Sequence, residues 1–321
     1  VTDYAVRRVL LLLVTLLGGS ALLFFAMRTL PPRDAIDLQV PPQTPNAEET
    51  KQALRRQLGL DGPLYRQYLS WLKGFFTGDW GKSLHSRRPI VQELKNRLPV
   101  SFELGLIGLF FTWAFSFPLG VLSALRQDRP VDYVLRTLAY ALDAMPAILI
   151  GILLLTYLAV NFGWAPPTTF TYFWDDPWRH VQIMALPTVV VGITSAGNLV
   201  RFTRTFLLEV LRQDYIRTAR AKGLSEQVVL VRHALRNVAL PFITVLGASV
   251  PTLLTSSVIV ENLFNLPGMG RYTFQALISL DYPVFVTTTV FYAVVILVSQ
   301  LVTDLAYAWA DPRVSYARGT P

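Results

Sequence analysis

"YIRTARAKGLSEQVVLVRHALRN", residues 215–237, is a basic, helix-patterned stretch between two long apolar segments of an otherwise oily chain. From Leu208 the positions Leu208, Leu211, Tyr215 and Ala219 recur at helical spacing, which predicts an amphipathic helix. Lys222 suits the negative end of its dipole and Gly223 a left-handed cap. Ser225 then predicts a second helix start, with Glu226 in its first turn. The expected product is a helix, a glycine corner and another helix, with the small residues Ala219 and Ala221 beside the corner. Such a knob is shaped for a groove on a partner protein, although a basic amphipathic segment lying on anionic lipid shares the pattern.

Working outward, the 321 residues are 52% hydrophobic and only 16% charged, which places the chain among membrane proteins. There is no cysteine, so neither a disulfide framework nor thiolate chemistry is available. His85, His180 and His233 are too far apart in sequence to suggest a metal site. The net charge of +8 belongs to membrane topology and not to nucleic acid, whose binders set stacking aromatics beside basic residues on a soluble surface. Arg7 and Arg8 precede the apolar run Val9 to Ala26, which is longer than a cleavable signal core and is read as a retained first span.

Windows able to cross the hydrocarbon core occur near 9–30, 98–124, 137–162, 181–200, 239–260 and 284–308. This predicts an all-α membrane protein with six transmembrane helices and cytoplasmic N- and C-termini. The short inner pieces would carry Arg7 and Arg8; Arg126, Arg129 and Arg136; eight more Lys and Arg from Arg201 to Arg236; and Arg313 and Arg318. The short outer loops would carry only Arg179 and Arg271, and positive residues in short loops resist translocation. The basic stretch is therefore expected in the cytoplasm.

The expected division is 1–30, the N-terminus and first helix; 31–97, a large extracytoplasmic loop; 98–310, the transmembrane core with a cytoplasmic loop at about 206–238; and 311–321, a cytoplasmic tail. The outer loop opens irregularly with "PPRDAIDLQVPPQTPNAEET". A helix follows, with Asn46 and Glu49 as a capping pair and Gly59 as a stop. After Asp61-Gly62-Pro63, Leu64, Tyr68, Trp71, Leu72 and Phe75 form an apolar face, expected to pack on the spans of the same chain. "GDWGKS", residues 78–83, ends like a phosphate-binding loop, but Phe76 stands where the Walker pattern needs its first glycine. A turn is the expected structure.

Glu103, Asp143 and Asp304 lie in or at the edges of the windows, where an acid is a functional candidate. Glu103 and Asp304 sit near ends, within reach of headgroups or water, and are expected to be structural; Asp143, two turns into the third window, stays open. Thr188, Gly192 and Ser195 with Asn198, and Ser249, Thr252 and Ser256, form two mild polar stripes. They fit either close helix packing or a hydrated passage for a polar solute. Asp143, Thr188, Ser195, Asn198, Ser249, Thr252 and Ser256 are the candidate translocation path.

"DYIRTARAKGLSEQVVLVRHALRNVALP", residues 214–241, closely resembles the cytoplasmic loop of permease subunits in the dipeptide, oligopeptide and nickel family of ABC importers. "LGLDGPLYRQYLSWLKGFFTGDWGKSL", "ENLFNLPGMGRYTFQALISLDYP" and "DLAYAWADPR" resemble that family in the same order, so the likeness covers nearly the whole chain. Ala219 and Gly223 keep the Ala-xxx-Gly core of the EAA pattern, while Arg217 and Thr218 occupy its first two positions. The resemblance implies the type I permease fold and an inner-membrane subunit of a prokaryote without catalysis of its own. It implies a homologous second permease, two cytoplasmic ABC ATPases that bind ATP and Mg, and an extracytoplasmic solute-binding protein as partners. It further implies that Asp214, Tyr215, Arg217, Thr218, Ala219, Arg220, Ala221, Lys222, Gly223, Leu224, His233, Arg236 and Asn237 form the ATPase-coupling loop. A peptide or comparably polar solute is expected, with nickel less favoured because the spans hold no histidine. The reading from another class is an ion-coupled secondary transporter using Asp143. A membrane enzyme has no serine-base pair, metal cluster or phosphate loop to support it.

Overall fold

Apolar runs separated by proline and glycine give regular secondary structure that, among the described residues, is entirely helical, with one isolated β-bridge between Lys82 and Pro89 in a connecting loop. The structure is a computed structural model and describes residues 2–29, 40, 46–57 and 62–310. Within them, the side chains of 2–6, 54, 57, 239, 240, 243, 244, 248, 252–256 and 307–310 lie outside the description. Gly59, Asp61, most of the proline-rich stretch and the tail 311–321, with Arg313 and Arg318, also lie outside it. The chain divides into two compact units: Val1–Val100 with Pro267–Leu297, and Ser101–Leu266 with Val298–Pro321.

In the first unit, α1 (Thr2–Thr29) is the first apolar run, α2 (Ala47–Gln57) follows it, and α3 (Leu64–Thr77) is the amphipathic helix. α2 places Glu48 and Glu49 in its first turn and Arg55 and Arg56 in its last, matching the helix dipole at both ends. The apolar face of α3 packs within the chain, as the sequence predicts: Tyr68, Trp71 and Phe75 lie against Leu16, Phe24, Val286 and Val290. Its polar tips find partners too. Tyr68 Oη lies 3.0 Å from Ser20 Oγ, and Trp71 Nε1 donates to Thr287 Oγ1 at 3.1 Å, which keeps both amphipathic rings satisfied where they are buried.

The stretch 78–83 is a turn, as expected. Gly78 and Gly81 have φ of +82° and +74°, and Trp80 stacks on Phe75 at 5.3 Å. Its Ser83 donates to Asp281 Oδ2 at 2.6 Å, and Leu84 N to Oδ1 at 3.1 Å. The serine of the decoy thus serves a buried carboxylate.

Among the described residues, four helices are long and apolar enough to cross a membrane: Arg7–Thr29 of α1, α4 (Ile90–Leu125), α7 (Pro177–Leu211) and Tyr282–Ala306 of α12 (Tyr282–Ala310). α4 and α7 have 36 and 35 residues, about 50 Å each at helical rise, so they outrun the roughly 30 Å hydrocarbon core. The third window departs from expectation. It is not one helix but two, α5 (Pro130–Ala144) and α6 (Ala147–Phe162), meeting at a bend of 104°. The cause is Met145-Pro146: the residue before a proline is pushed out of the α region, and Met145 is extended at φ −90°, ψ 125°. Counted as one span, the pair brings the number to five.

The basic stretch contributes α8 (Asp214–Ala221), α9 (Glu226–Val228), a π-helical segment Val229–Leu235 and α10 (Arg236–Leu263). After the loop at Pro267, α11 (Met269–Ile278) leads to α12. In the second unit α4 and α7 touch closely where small residues allow: Thr112 Oγ1 on α4 donates to the Gly192 carbonyl on α7 at 3.1 Å.

Candidate functional site

The basic stretch folds as a tight helical hairpin at the C-terminal end of α7. Its first surprise is a break. α7 stops at Leu211, Arg212 and Gln213 form a turn, and α8 restarts with Gln213 extended at its N-cap position (φ −71°, ψ 150°). The two-residue interruption resets the helical register. Ile216 and Ala219, at 0% and 5% exposure, therefore face inward, while Tyr215, which the sequence stripe placed on the packed face, is 42% exposed. The inner face rests on Leu207, Val229, Ala234 and Val238.

The corner follows the glycine. Gly223 has φ +77°, a conformation costly to residues with a Cβ. Gly223 N donates to Arg220 O at 2.9 Å and Leu224 N to Ala219 O at 3.4 Å, the paired closure of a Schellman cap. No atom lies within 4 Å of a Cβ built at Gly223, so the requirement there is conformational and not one of space. Across the corner Arg220 holds Glu226 with two bonds, Nε to Oε1 at 2.8 Å and Nη2 to Oε2 at 3.2 Å. Ser225 precedes α9 but makes no side-chain capping bond.

Beyond the corner, Val229 and Ala234 are both fully buried although five residues apart. The π-helical turn between them makes that spacing one face. Asn237 Nδ2 donates to the His233 carbonyl at 2.7 Å, Thr218 Oγ1 to the Asp214 carbonyl at 3.0 Å, and Arg217 pairs with Asp214 at 3.7 Å. Arg217, Ala221, Lys222, Arg236 and Asn237 are exposed. So are the apolar side chains of Leu224, Val228 and Val231, the last at 64%. The hairpin therefore has an apolar inner face tying it to α7 and α10, and an outer face mixing guanidinium groups with uncovered aliphatic side chains.

The polar stripes are only partly brought together. Thr188 is 1% exposed and donates to Met184 O of its own helix at 2.8 Å, and Gly192 is spent on the contact with Thr112. These two are helix packing. Ser195 is half-buried and Asn198 exposed. Ser249 is half-buried and donates to Val245 O at 2.7 Å; the side chains of Thr252 and Ser256 lie outside the described residues.

Asp143 is not a vacant carboxylate: it pairs with Arg201, whose guanidinium also lies 4.7 Å from the Tyr140 ring centroid. Glu103 takes a structural place, 2.7 Å from His180 Nε2, while His180 Nδ1 lies 2.8 Å from the Thr171 carbonyl. No cluster of three or more His, Cys, Asp or Glu suited to a metal ion occurs among the described residues.

Sequence reasoning missed the most elaborate polar cluster in this unit. Asp132 is fully buried and is held by Arg204, with Ser123 and the Asp128 amide completing its contacts. The charge pattern places Arg201 and Arg204 among the topogenic loop charges, yet both lie within α7 and both are paired with acids of α5.

The chain has relatives among known proteins along nearly its whole length. The family model for the binding-protein-dependent transport system inner membrane component matches residues 116–316, and that for the N-terminal part of such membrane components matches residues 1–105. The oligopeptide transport system permease protein AppB of Bacillus subtilis strain 168 is 37% identical over 321 residues, covering 98% of this chain and 99% of that protein. The dipeptide transport system permease protein DppB of the same strain is 37% identical over 318 residues, with 97% of each covered. The glutathione transport system permease protein GsiC of Escherichia coli K12 is 33% identical over 314 residues, covering 98% of this chain and 99% of that protein. A multi-pass chain with this hairpin and these full-length relatives belongs to the binding-protein-dependent transport system inner membrane components, as a permease of the peptide ABC importer type.

Proposed function

We propose that this chain forms half of the translocation path of an ATP-driven importer and that its hairpin couples the path to a cytoplasmic ATPase. The observation that carries this reading is the closed corner at Gly223, which holds α8 against the end of α7 while leaving Leu224, Val228 and Val231 uncovered. An apolar patch rimmed by charged groups on a small rigid projection suits docking into a groove of a partner. Binding of ATP with Mg would close two ATPase subunits, move this hairpin and its counterpart on a homologous permease, and open the path outward. Solute delivered by an extracytoplasmic binding protein would enter, and hydrolysis would reset the inward-facing state. This chain contributes no chemistry to that cycle.

The same reading assigns six spans of the type I permease fold, with the bent α5–α6 pair and α10 completing the set. It places 31–97 outside, makes 98–310 the permease core with the coupling loop at about 206–238, and puts both termini in the cytoplasm. Relatives named for oligopeptide, dipeptide and glutathione transport support a peptide or similar polar solute. The half-buried Ser195 and Ser249 and the exposed Asn198 are the path candidates that keep access, whereas Thr188 is closed off within the chain. Asp143, with Arg201 on its carboxylate, gives little support to an ion-coupled carrier.

The test is purification of the tagged permease from membranes that also express its genomic neighbours. Retention of ATPase subunits and a binding-protein-dependent uptake of a labelled peptide are expected. Uptake that persists without ATP and follows an ion gradient would overturn the reading in favour of a secondary carrier.

A further inference from the structure

Helices α5 and α7 are joined by two ion pairs and by a backbone contact. At one end Arg204 on α7 reaches Asp132 on α5 at two points, Nε to Oδ1 and Nη2 to Oδ2, both at 2.7 Å. The same carboxylate accepts from Ser123 Oγ at 2.5 Å on Oδ1 and from the Asp128 amide at 3.0 Å on Oδ2. Each oxygen thus has two donors, and the geometry is the planar, forked match that only arginine provides. Further along α5, Asp143 pairs with Arg201. One turn before Arg201 on α7, Gly197 packs directly on α5. A Cβ there would fall on the Ala139 carbonyl oxygen and come within 2.9 Å of an Asp143 carboxylate oxygen, so the two helices touch at the backbone.

The cluster sits at a mechanical junction. The hairpin core of Ile216, Ala219 and Val229 packs on Leu199 and Leu207 of α7, so displacement of the hairpin reaches α7 first. On the other side, α5 ends at the Met145-Pro146 break, where the chain turns by 104° into α6. A buried carboxylate with four donors resists separation, because parting it from Arg204 leaves an uncompensated charge in a low-dielectric place. The helices then respond to a push as one body, and the nearest place that can yield is the break.

We propose that Asp132 and Arg204 are positioning residues for transport: they lock α5 to α7 so that movement of the hairpin is delivered to the Met145-Pro146 break and not lost by slippage between the two helices. The proposal rests on the coupling reading above. It assigns to Asp132 and Arg204 no contact with solute or nucleotide.

The chain's lack of cysteine makes the experiment direct. The complete importer is reconstituted in proteoliposomes with D132N, R204K or the pair D132C/R204C. ATPase retention, ATP hydrolysis and uptake of a radiolabelled alanyl tripeptide are measured on the same preparation. Retained ATPase subunits and continuing hydrolysis are expected, with tripeptide moved per ATP falling about tenfold, within the range of ordinary coupling energies. In D132C/R204C a short bis-thiosulfonate bridging the two thiols should restore most of that ratio, and reductant should abolish it again. Restoration by a neutral link is something a merely charge-dependent or solute-binding role would not give. A normal transport ratio in D132N, or no recovery on bridging, overturns the proposal. Where D132N fails to accumulate, R204K decides, since it keeps the charge but gives up the two-point geometry; full coupling there overturns the clamp. If the unaltered permease retains no ATPase, it is the coupling reading that falls.

Discussion

Arg220 reaches across the Gly223 corner to Glu226, two bonds closing one end of the hairpin onto the other. Both side chains are substantially exposed, at 42% and 68%, so the pair contributes only about 0–1 kcal/mol despite its good geometry. R220E should therefore reduce peptide uptake by a few-fold at most, and the swap R220E/E226R should recover much of the loss. Initial uptake rates in membranes with matched permease content would settle it; abolition by R220E without rescue by the swap would assign Arg220 to the ATPase contact itself.

Gly223 sets a harder limit. Its φ of +77° is strained for a β-branched residue by about 1 kcal/mol or more, whereas asparagine tolerates that region better. Gly223→Val is expected to insert normally but to lose ATPase subunits during purification, with Gly223→Asn intermediate. Normal transport by a stably inserted Gly223→Val permease would show that the corner is not needed for docking.

Ala219 acts through the interior. At 5% exposure against the hairpin core, it leaves no room for a carboxylate, and an uncompensated buried charge costs about 3–5 kcal/mol. Ala219→Glu should loosen the hairpin before any partner is met. Limited proteolysis of the permease alone should cut between α8 and α9 faster than in the parent, while Ala219→Ser stays close to it. Unchanged proteolysis with lost docking would instead put residue 219 on the contact surface.

The parts of this site that were legible in the sequence are those specified by neighbouring residues. Gly223 after Lys222 announces its corner locally, and the stripe from Tyr68 to Phe75 announces its burial by period. The period that puts Tyr215 on the packed face runs unbroken through Arg212 and Gln213, whereas the acid at Asp214 marks a fresh helix start. The burial of Val229 with Ala234 follows a five-residue spacing that a 3.6-residue template does not register. Met145-Pro146 carries the breaker signal of a proline, but the residues on its two sides together meet the length and hydropathy of a single span, which masks the bend. Asp132 with Arg204 had no local signature at all: the partners are 72 residues apart, and the arginine looked like one more topogenic charge.

That bend makes the membrane topology a sharp test. Arg126, Arg129 and Arg136 precede or open the α5–α6 pair, and Arg212, Arg217, Arg220, Lys222, Arg232 and Arg236 follow α7. Both groups are expected on the cytoplasmic side from the distribution of positive residues in short loops. They can share a side only if two crossings separate them, so α5–α6 must cross along with α7. A reporter fused after Gly62 or Gly163 is then expected outside, and one after Gly223 inside. If the pair were re-entrant, entering and leaving on one face, the Gly163 reporter would be inside and the Gly223 reporter outside, which would carry the hairpin away from any ATPase. Reporter activities at these three glycines, read in the same strain, distinguish a broken span from a re-entrant loop.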